Sequence, residues 1–420
     1  MKPRAAIPGG VLLVANNFPP VRGGSASVYD SLARFARGRV TVLAPRISYT
    51  DGLPMPGWRE HDRGAPYPVV RVPLLRTVIP ALPPRGMARL GFLVSDALLR
   101  ACVATWVAWL ILRLRARAVC VGELLASAWL LRLLRFVPGV RSLVYVHGEE
   151  LTTADHYDPE RRVAHSALQA ADAIIVVSRF TRAVVADMLG PSAEAKIHLI
   201  ENGVDTGRFS PKPKSEALLR FYDLAGRFVF IAVCRLVEKK GIDNAIRAFA
   251  RIAARHPDTS FLVVGTGSYE PALRALVEAE GLVGRVRFTG QVAEDELTEH
   301  YQLGDVFLMP NRAMPDGDTE GFGLVFLEAN ACGIPAIAGR DGGSTDAVRD
   351  GVNGLVVNGH DIDAIAAAML AMREQQDLYE RLRQGALSVA AAAQWQNKSE
   401  AFLKLCLEDQ PAPRAGAATP

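Results

Sequence analysis

Cysteine is scarce and unpatterned in this chain: five residues, at 102, 120, 234, 332 and 406, with no Cys-x-x-Cys pair among them. An odd, scattered set excludes a disulfide framework and a zinc knuckle, and fits thiols kept reduced in a cytosol. Other familiar motifs are missing. There is no His-Glu-x-x-His and no Gly-x-x-x-x-Gly-Lys-Ser/Thr loop, and Gly265-Thr-Gly267 lacks the third glycine of the dinucleotide fingerprint. A net charge of only +4 over 420 residues, with arginines spread along the chain, argues against a nucleic-acid partner and leaves room for phosphates or anionic lipid. Long apolar runs are absent too. The most hydrophobic region is 90–134, and its longest uncharged piece, residues 101–112, is well short of the roughly 20 residues that span a bilayer, so no transmembrane segment is expected. The run Val11-Leu-Leu-Val-Ala15 is too short for a signal-peptide core and reads as a first buried strand.

What is present is apolar matter in quantity, half of all residues, enough for two cores at this length. Short β-branched runs at 11–15, 40–44, 69–72, 118–121, 143–146, 173–177 and 197–200 alternate with helix-like stretches such as 27–37, 126–135 and 181–189. That alternation predicts a parallel sheet covered by helices on both faces. Ser210-Pro-Lys-Pro-Lys-Ser215 has linker composition, and the pattern then restarts with strands at 228–233, 260–264, 286–289, 306–309 and 334–338. The expected organisation is an α/β first domain over 1–205, a linker over 206–222, and a second α/β domain over 223–392. A helix over 393–410 returns to the first domain, and a disordered Pro/Ala/Gly-rich tail covers 411–420. Doubly wound sheets bind ligands beyond the carboxyl ends of their strands.

The chain's most informative stretch is Asp316-Gly-Asp-Thr-Glu320-Gly-Phe-Gly-Leu-Val-Phe-Leu-Glu328, a polar loop that becomes an apolar helix at Gly321-Phe322-Gly323. Glycines allow close backbone approach, and a helix start offers unpaired amides to an anion. Arg235 and Lys240 bracket a loop after a strand, where a guanidinium fork and a point charge would grip a diphosphate; surface ion pairing is the structural alternative for either. Gly23-Gly24 before the first helix is a second phosphate-facing candidate, or a plain loop. His147-Gly148-Glu149-Glu150 ends a buried strand with a histidine that could donate or accept a proton, unless it is a satisfied core residue. The pairs Asp316-Gly-Asp318 and Asp361-Ile-Asp363 read as loop or helix caps rather than cation ligands, so no metal and no cofactor are expected.

Taken together these residues resemble retaining glycosyltransferases of the GT-B fold, family 4, with bacterial mannosyltransferase-like wording around Met309-Pro-Asn-Arg312. The agreement runs through Gly23-Gly24, His147-Gly148, Val177-Ser178-Arg179, Asn202-Gly203-Val204-Asp205, Arg235-Leu236, Lys240-Gly241, Glu320-x7-Glu328 and Gly342-Gly343. The resemblance implies two Rossmann-like, doubly wound domains facing across a cleft, with a nucleotide-sugar donor (GDP-mannose or a UDP-sugar) on the second. A lipid-linked or polysaccharide acceptor would sit on the first, in cell-surface glycan synthesis. By position, Arg235 and Lys240 would neutralise the leaving diphosphate, Glu328 bind the ribose and Glu320 the transferred sugar. The backbone of Phe322, Gly323 and Leu324 would line the sugar and phosphates, Gly24 would close from the other domain, and Gly265 and Val292 would flank the base. His147 would stand beside the reacting carbon, with Glu150 on the acceptor side. The enzyme would be cytoplasmic, and Arg-rich apolar segments over 85–141 allow peripheral contact with the inner face of an anionic membrane, or are ordinary buried helices with snorkelling arginines. Cys234 and Asp346 depart from the family pattern, which more often has Gly and Glu there. A sugar-nucleotide 2-epimerase and a non-catalytic nucleotide-sugar-binding subunit are the alternative readings.

Overall fold

The structure, a computed structural model, describes residues 7–80, 85–153, 158 and 160–407. The tail over 411–420, expected to be disordered, lies outside these residues. Strands β1 (Val11–Val14), β2 (Val40–Pro45), β3 (Val69–Val72), β4 (Ala118–Val121), β5 (Arg141–Val146), β6 (Ala173–Val176) and β7 (Ile197–Leu199) form one sheet in the order β3-β2-β1-β4-β5-β6-β7. A second sheet, in the order β10-β9-β8-β11-β12-β13, comprises β8 (Phe228–Val233), β9 (Thr259–Val264), β10 (Val286–Gly290), β11 (Val306–Met309), β12 (Ala336–Gly339) and β13 (Gly354–Val357). All ladders within both sheets are parallel. Helices cover both faces, which is why β1, β4, β6 and β11 are buried along their whole length and read as continuous apolar runs instead of alternating ones.

The strand order reverses between β1 and β4 in the first sheet and between β8 and β11 in the second. These switch points open a crevice at the carboxyl edge of each sheet, because the connections leave in opposite directions. The loops leaving the four central strands, over 15–24, 122–123, 234–241 and 310–323, carry Gly24, Arg235, Lys240, Glu320, Phe322 and Gly323, whereas His147 and Glu150 follow β5, Gly265 follows β9 and Val292 follows β10.

Three features differ from the sequence-based expectation. β13 was not anticipated, since it is only four residues long and starts at a glycine. The linker contains a short helix, Glu216–Phe221. The 101–112 segment is the end of a 29-residue helix, Gly86–Leu114, which by length and composition is apolar enough to cross a membrane. Arg89, Asp96, Arg100 and Arg113 interrupt its hydropathy but not its backbone, so a count of uncharged residues understates its length. The final helix, Trp395–Leu407, packs on the Gly24–Phe35 helix of the first domain, with the Ser399 hydroxyl donating to the Leu32 carbonyl at 3.0 Å.

Candidate active site

In the second domain the loop after β8 ends in a 3-10 turn, Glu238–Lys240, which presents Lys240 to the loop after β11. Lys240 forms an ion pair with Glu320, their side chains 14% and 13% exposed. Burial opposes charge on both groups, but their mutual attraction outweighs it: the Lys240 pKa is raised and the Glu320 pKa lowered. Both are therefore charged at neutral pH. Arg235 is exposed at the start of the same loop and adds to the field that holds Glu320 ionised.

Gly323 precedes the Leu324–Ala331 helix at φ 85°, a left-handed conformation that favours glycine and turns the buried Phe322 into the core while the helix start faces the crevice. Glu328 lies in this helix and accepts a hydrogen bond from the Tyr301 hydroxyl at 2.7 Å; burial raises its pKa, with the hydroxyl acting against it. Gly265 follows β9, its amide bonded to the Gly290 carbonyl at 3.0 Å, two residues before the half-buried Val292.

The first domain closes the other side. His147 leaves β5 with its amide donating to Glu150 at 2.9 Å, so the Glu150 carboxylate, expected on the acceptor side, is partly engaged in holding His147. The Tyr29 hydroxyl donates to the Gly122 carbonyl, which leaves its oxygen free to accept from His147 Nε2 at 2.7 Å. Burial lowers the His147 pKa to about 4. The imidazole is consequently neutral near pH 7, with its proton on Nε2, and works as a positioned dipole rather than as a cation. An NMR titration is expected to show no His147 protonation between pH 5.5 and 8, and Tyr29→Phe is expected to disturb its tautomer. A ring that titrates near 6.5, the ordinary histidine value, would contradict this geometry.

The two halves touch closely. A Cβ on Gly321 would sit 2.1 Å from the His147 carbonyl oxygen, and one on Gly317 2.2 Å from that of Thr152. Asp346 accepts from the Arg179 amide at 2.7 Å and pairs with its guanidinium, while buried Lys239 contacts Asp318 at 2.6 Å and Glu149 at 3.5 Å. Arg22, on the loop before Gly24, donates to the Val292 carbonyl at 3.1 Å. His147, Gly321, Glu320 and Lys240 thus form one contiguous group, with Arg235 and the Leu324–Ala331 helix start on the second-domain side. Gly24 has open space beside it at the start of its helix. Sequence pattern alone does not single out Tyr29, whose spacing with Ala26, Leu32 and Ala33 reads as plain helix core.

The Asp-x-Asp pairs are structural in part: Asp316 accepts from the Asp318 amide, and Asp361 caps the Ile362–Glu374 helix through the Ala364 amide, both at 3.0 Å. Among the described residues no group of three or more His, Cys, Asp or Glu side chains is arranged to hold a metal ion.

Two parallel-sheet domains with their switch points opposed define the GT-B architecture, and solved structures share it. Anabaena HepE in complex with UDP, 20% identical, superposes with a TM-score of 0.74 over 94% of this chain and 99% of that one. Two family models match, "Glycosyltransferase Family 4" over residues 22–208 and "Glycosyl transferases group 1" over residues 220–389. Among curated relatives, the GDP-mannose-dependent alpha-(1-6)-phosphatidylinositol monomannoside mannosyltransferase of Mycolicibacterium smegmatis is 36% identical over 370 residues, covering 86% of this chain and 88% of the relative. The Mycobacterium tuberculosis protein of the same name is 35% identical over 395 residues, covering 92% and 94%. The chain belongs to glycosyltransferase family 4: it is a mannosyltransferase-like enzyme that uses a nucleotide sugar.

Proposed function

We propose that this enzyme moves mannose from GDP-mannose, with retention and without a metal ion, to a phosphoinositide-type glycolipid at a membrane surface. The observation that carries the proposal is the Lys240–Glu320 pair beside the Leu324–Ala331 helix start. When the C1–O bond to the diphosphate breaks, negative charge grows on the leaving group. Lys240, Arg235 and the amides after Gly323 are preset to stabilise it, and Glu320 is released to take sugar hydroxyls. The acceptor oxygen bonds to C1 from the same face, and its proton passes to a leaving phosphate oxygen, giving GDP and an α-mannoside. His147, neutral and fixed by Tyr29, supplies dipoles beside C1 and no proton. GDP-mannose and a phosphatidylinositol acceptor are the chemistry named in the relatives, which supports this choice for the present chain. A cavity of about 670 Å³ on the first domain, lined by Thr152, Glu160, Arg161, Arg162, His165 and Asp187 and touched by Gly317 of the second, offers two arginines to a phosphate-bearing acceptor. Melting curves with GDP, UDP and ADP test the donor, with the largest rise expected for GDP. Transfer that survives EDTA supports metal independence, and transfer abolished by EDTA and restored by Mg²⁺ overturns it.

The Gly86–Leu114 helix supports the membrane part of this reading. Its second half is held to the first domain by buried Val103, Val107, Leu110 and Ile111, and β4 begins four residues beyond its end. A crossing orientation would tear that half from the sheet, so the helix is suited to lie along a surface. Its first half is bare: Met87 is 89% exposed and Leu98 66%, and with Leu90 and Val94 they follow the i, i+3, i+7, i+11 spacing of one face. Arg85 and Arg89 flank this face, and exposed Phe136 with Arg132 and Arg135 lies on the region after β4. Leu90→Glu/Leu98→Glu is expected to cut flotation with anionic vesicles at least tenfold, since each buried side chain contributes roughly 1.5–3 kcal/mol, while turnover of a soluble acceptor persists. Wild-type protein that fails to float contradicts the membrane role.

A further inference from the structure

Glu123 belongs to none of the motifs above, yet it joins the two strands of the first domain's switch point. It leaves β4 at the N-cap position of the Leu124–Leu134 helix, where a shorter Ser, Thr, Asp or Asn side chain commonly bonds the helix's own amides. Here it makes no such bond. Its two carboxylate oxygens instead accept the consecutive amides of Asn16 and Asn17, both at 2.8 Å, across 107 and 106 residues of sequence. Those amides begin the loop that leaves β1, the strand paired with β4 at Val14–Val121. Farther along the loop, Phe18 is fully buried, the Pro19 carbonyl accepts from Arg71 at 2.5 Å, and Arg22 reaches the Val292 carbonyl of the second domain. The loop ends at Gly23–Gly24 and the first turn of the Gly24–Phe35 helix.

We infer that Glu123 is a positioning residue for the donor: by clamping two amides at the root of the loop after β1, its carboxylate sets where Gly24 and the following helix start meet the donor diphosphate. This rests on the proposed donor site. Two parallel N–H donors match a carboxylate fork, whereas an isosteric amide accepts only one of them and turns a donor toward the other.

The environment makes the clamp dependent on pH. Burial raises the Glu123 pKa, the Asn16 and Asn17 amides lower it, the Glu150 charge on the Glu149–Thr152 helix raises it, and Arg76 after β3 lowers it, leaving it at about 7. Tyr29 on the first helix and Cys120 within β4 face the same region, and both are pushed up by burial and stay neutral. Protonation of Glu123 below that value removes one acceptor and slackens the loop. The fork is therefore complete above pH 7 and progressively lost below it.

The test compares GDP affinity by calorimetry for wild type, Glu123→Gln and Lys240→Ala across pH 6 to 8, with melting curves to monitor folding. Comparison at each pH cancels the titration of GDP itself. Glu123→Gln is expected to bind GDP about tenfold more weakly at pH 8, the equivalent of one charge-assisted hydrogen bond, with the ratio to wild type closing toward one at pH 6. A ratio that does not change with pH, or an unaltered affinity in Glu123→Gln alongside a weakened Lys240→Ala, overturns the inference and leaves the donor site standing. Unaltered affinity in Lys240→Ala means that the donor-site reading itself has failed. If Glu123→Gln does not fold, Glu123→Asp, which keeps the charge but is too short for both amides, reads the same ratio.

Discussion

Lys240→Met is expected to lower the rate of sugar transfer by about 10²–10³-fold, the usual scale for removing one preset charge from a developing anion. The same substitution is expected to destabilise the unliganded protein, because it strands Glu320 in a site that excludes most water. Breaking a buried pair by removing one partner costs about 3–5 kcal/mol, and the partial exposure of both side chains places the expected value at or below the lower end. Glu320, held below its ordinary pKa, contributes stability above about pH 4.3 and loses it as pH falls; Lys240, held above its own, contributes below about pH 10.4 and loses it as pH rises. The pair therefore acts fully across the neutral range. Lys240→Met/Glu320→Gln is expected to recover much of the lost melting temperature and none of the activity. Arg235 is exposed, so Arg235→Met is expected to slow transfer with little change in melting. Melting curves and initial rates on these variants separate the electrostatic role of the lysine from its structural one.

Gly321→Ala is expected to be nearly as severe for a different reason. The backbone at Gly321 is not among the positive-φ positions, so the residue itself tolerates a side chain. What does not is the space: the new Cβ would lie 2.1 Å from the His147 carbonyl oxygen, and neither group is the end of a flexible chain. The domains must separate to admit it, which moves His147 away from the donor side. Displacements of about 1 Å at a reacting centre can cost 10²-fold, so turnover should fall at least that far while each domain keeps its fold. Small-angle scattering is expected to show a larger radius of gyration for the variant. An unchanged radius together with wild-type turnover would contradict the closed arrangement of the crevice.

The strands were legible because a parallel sheet buried on both faces demands uninterrupted β-branched runs, and β1, β4, β6 and β11 supply them. Glu320, Gly321-Phe322-Gly323 and Glu328 were legible because polarity changes abruptly there and glycines mark the turn. Tyr29 and Glu123 were not. Each looks ordinary in its own segment, one as helix core and one as a charged residue before a helix, and each gains its role from a partner about a hundred residues away. Glu150 was legible as a candidate, but not its bond to the His147 amide. The Gly86–Leu114 helix escaped because four charges dilute its hydropathy without breaking its backbone.

Incubating the enzyme with GDP-mannose and phosphatidylinositol monomannoside, and determining the anomeric configuration of the first product by NMR, tests the proposed transfer itself. The expected product carries a new α-mannosidic linkage, formed in step with GDP release and lost in Lys240→Met. A β-linked product, or an epimerised nucleotide sugar formed without any acceptor, would contradict it.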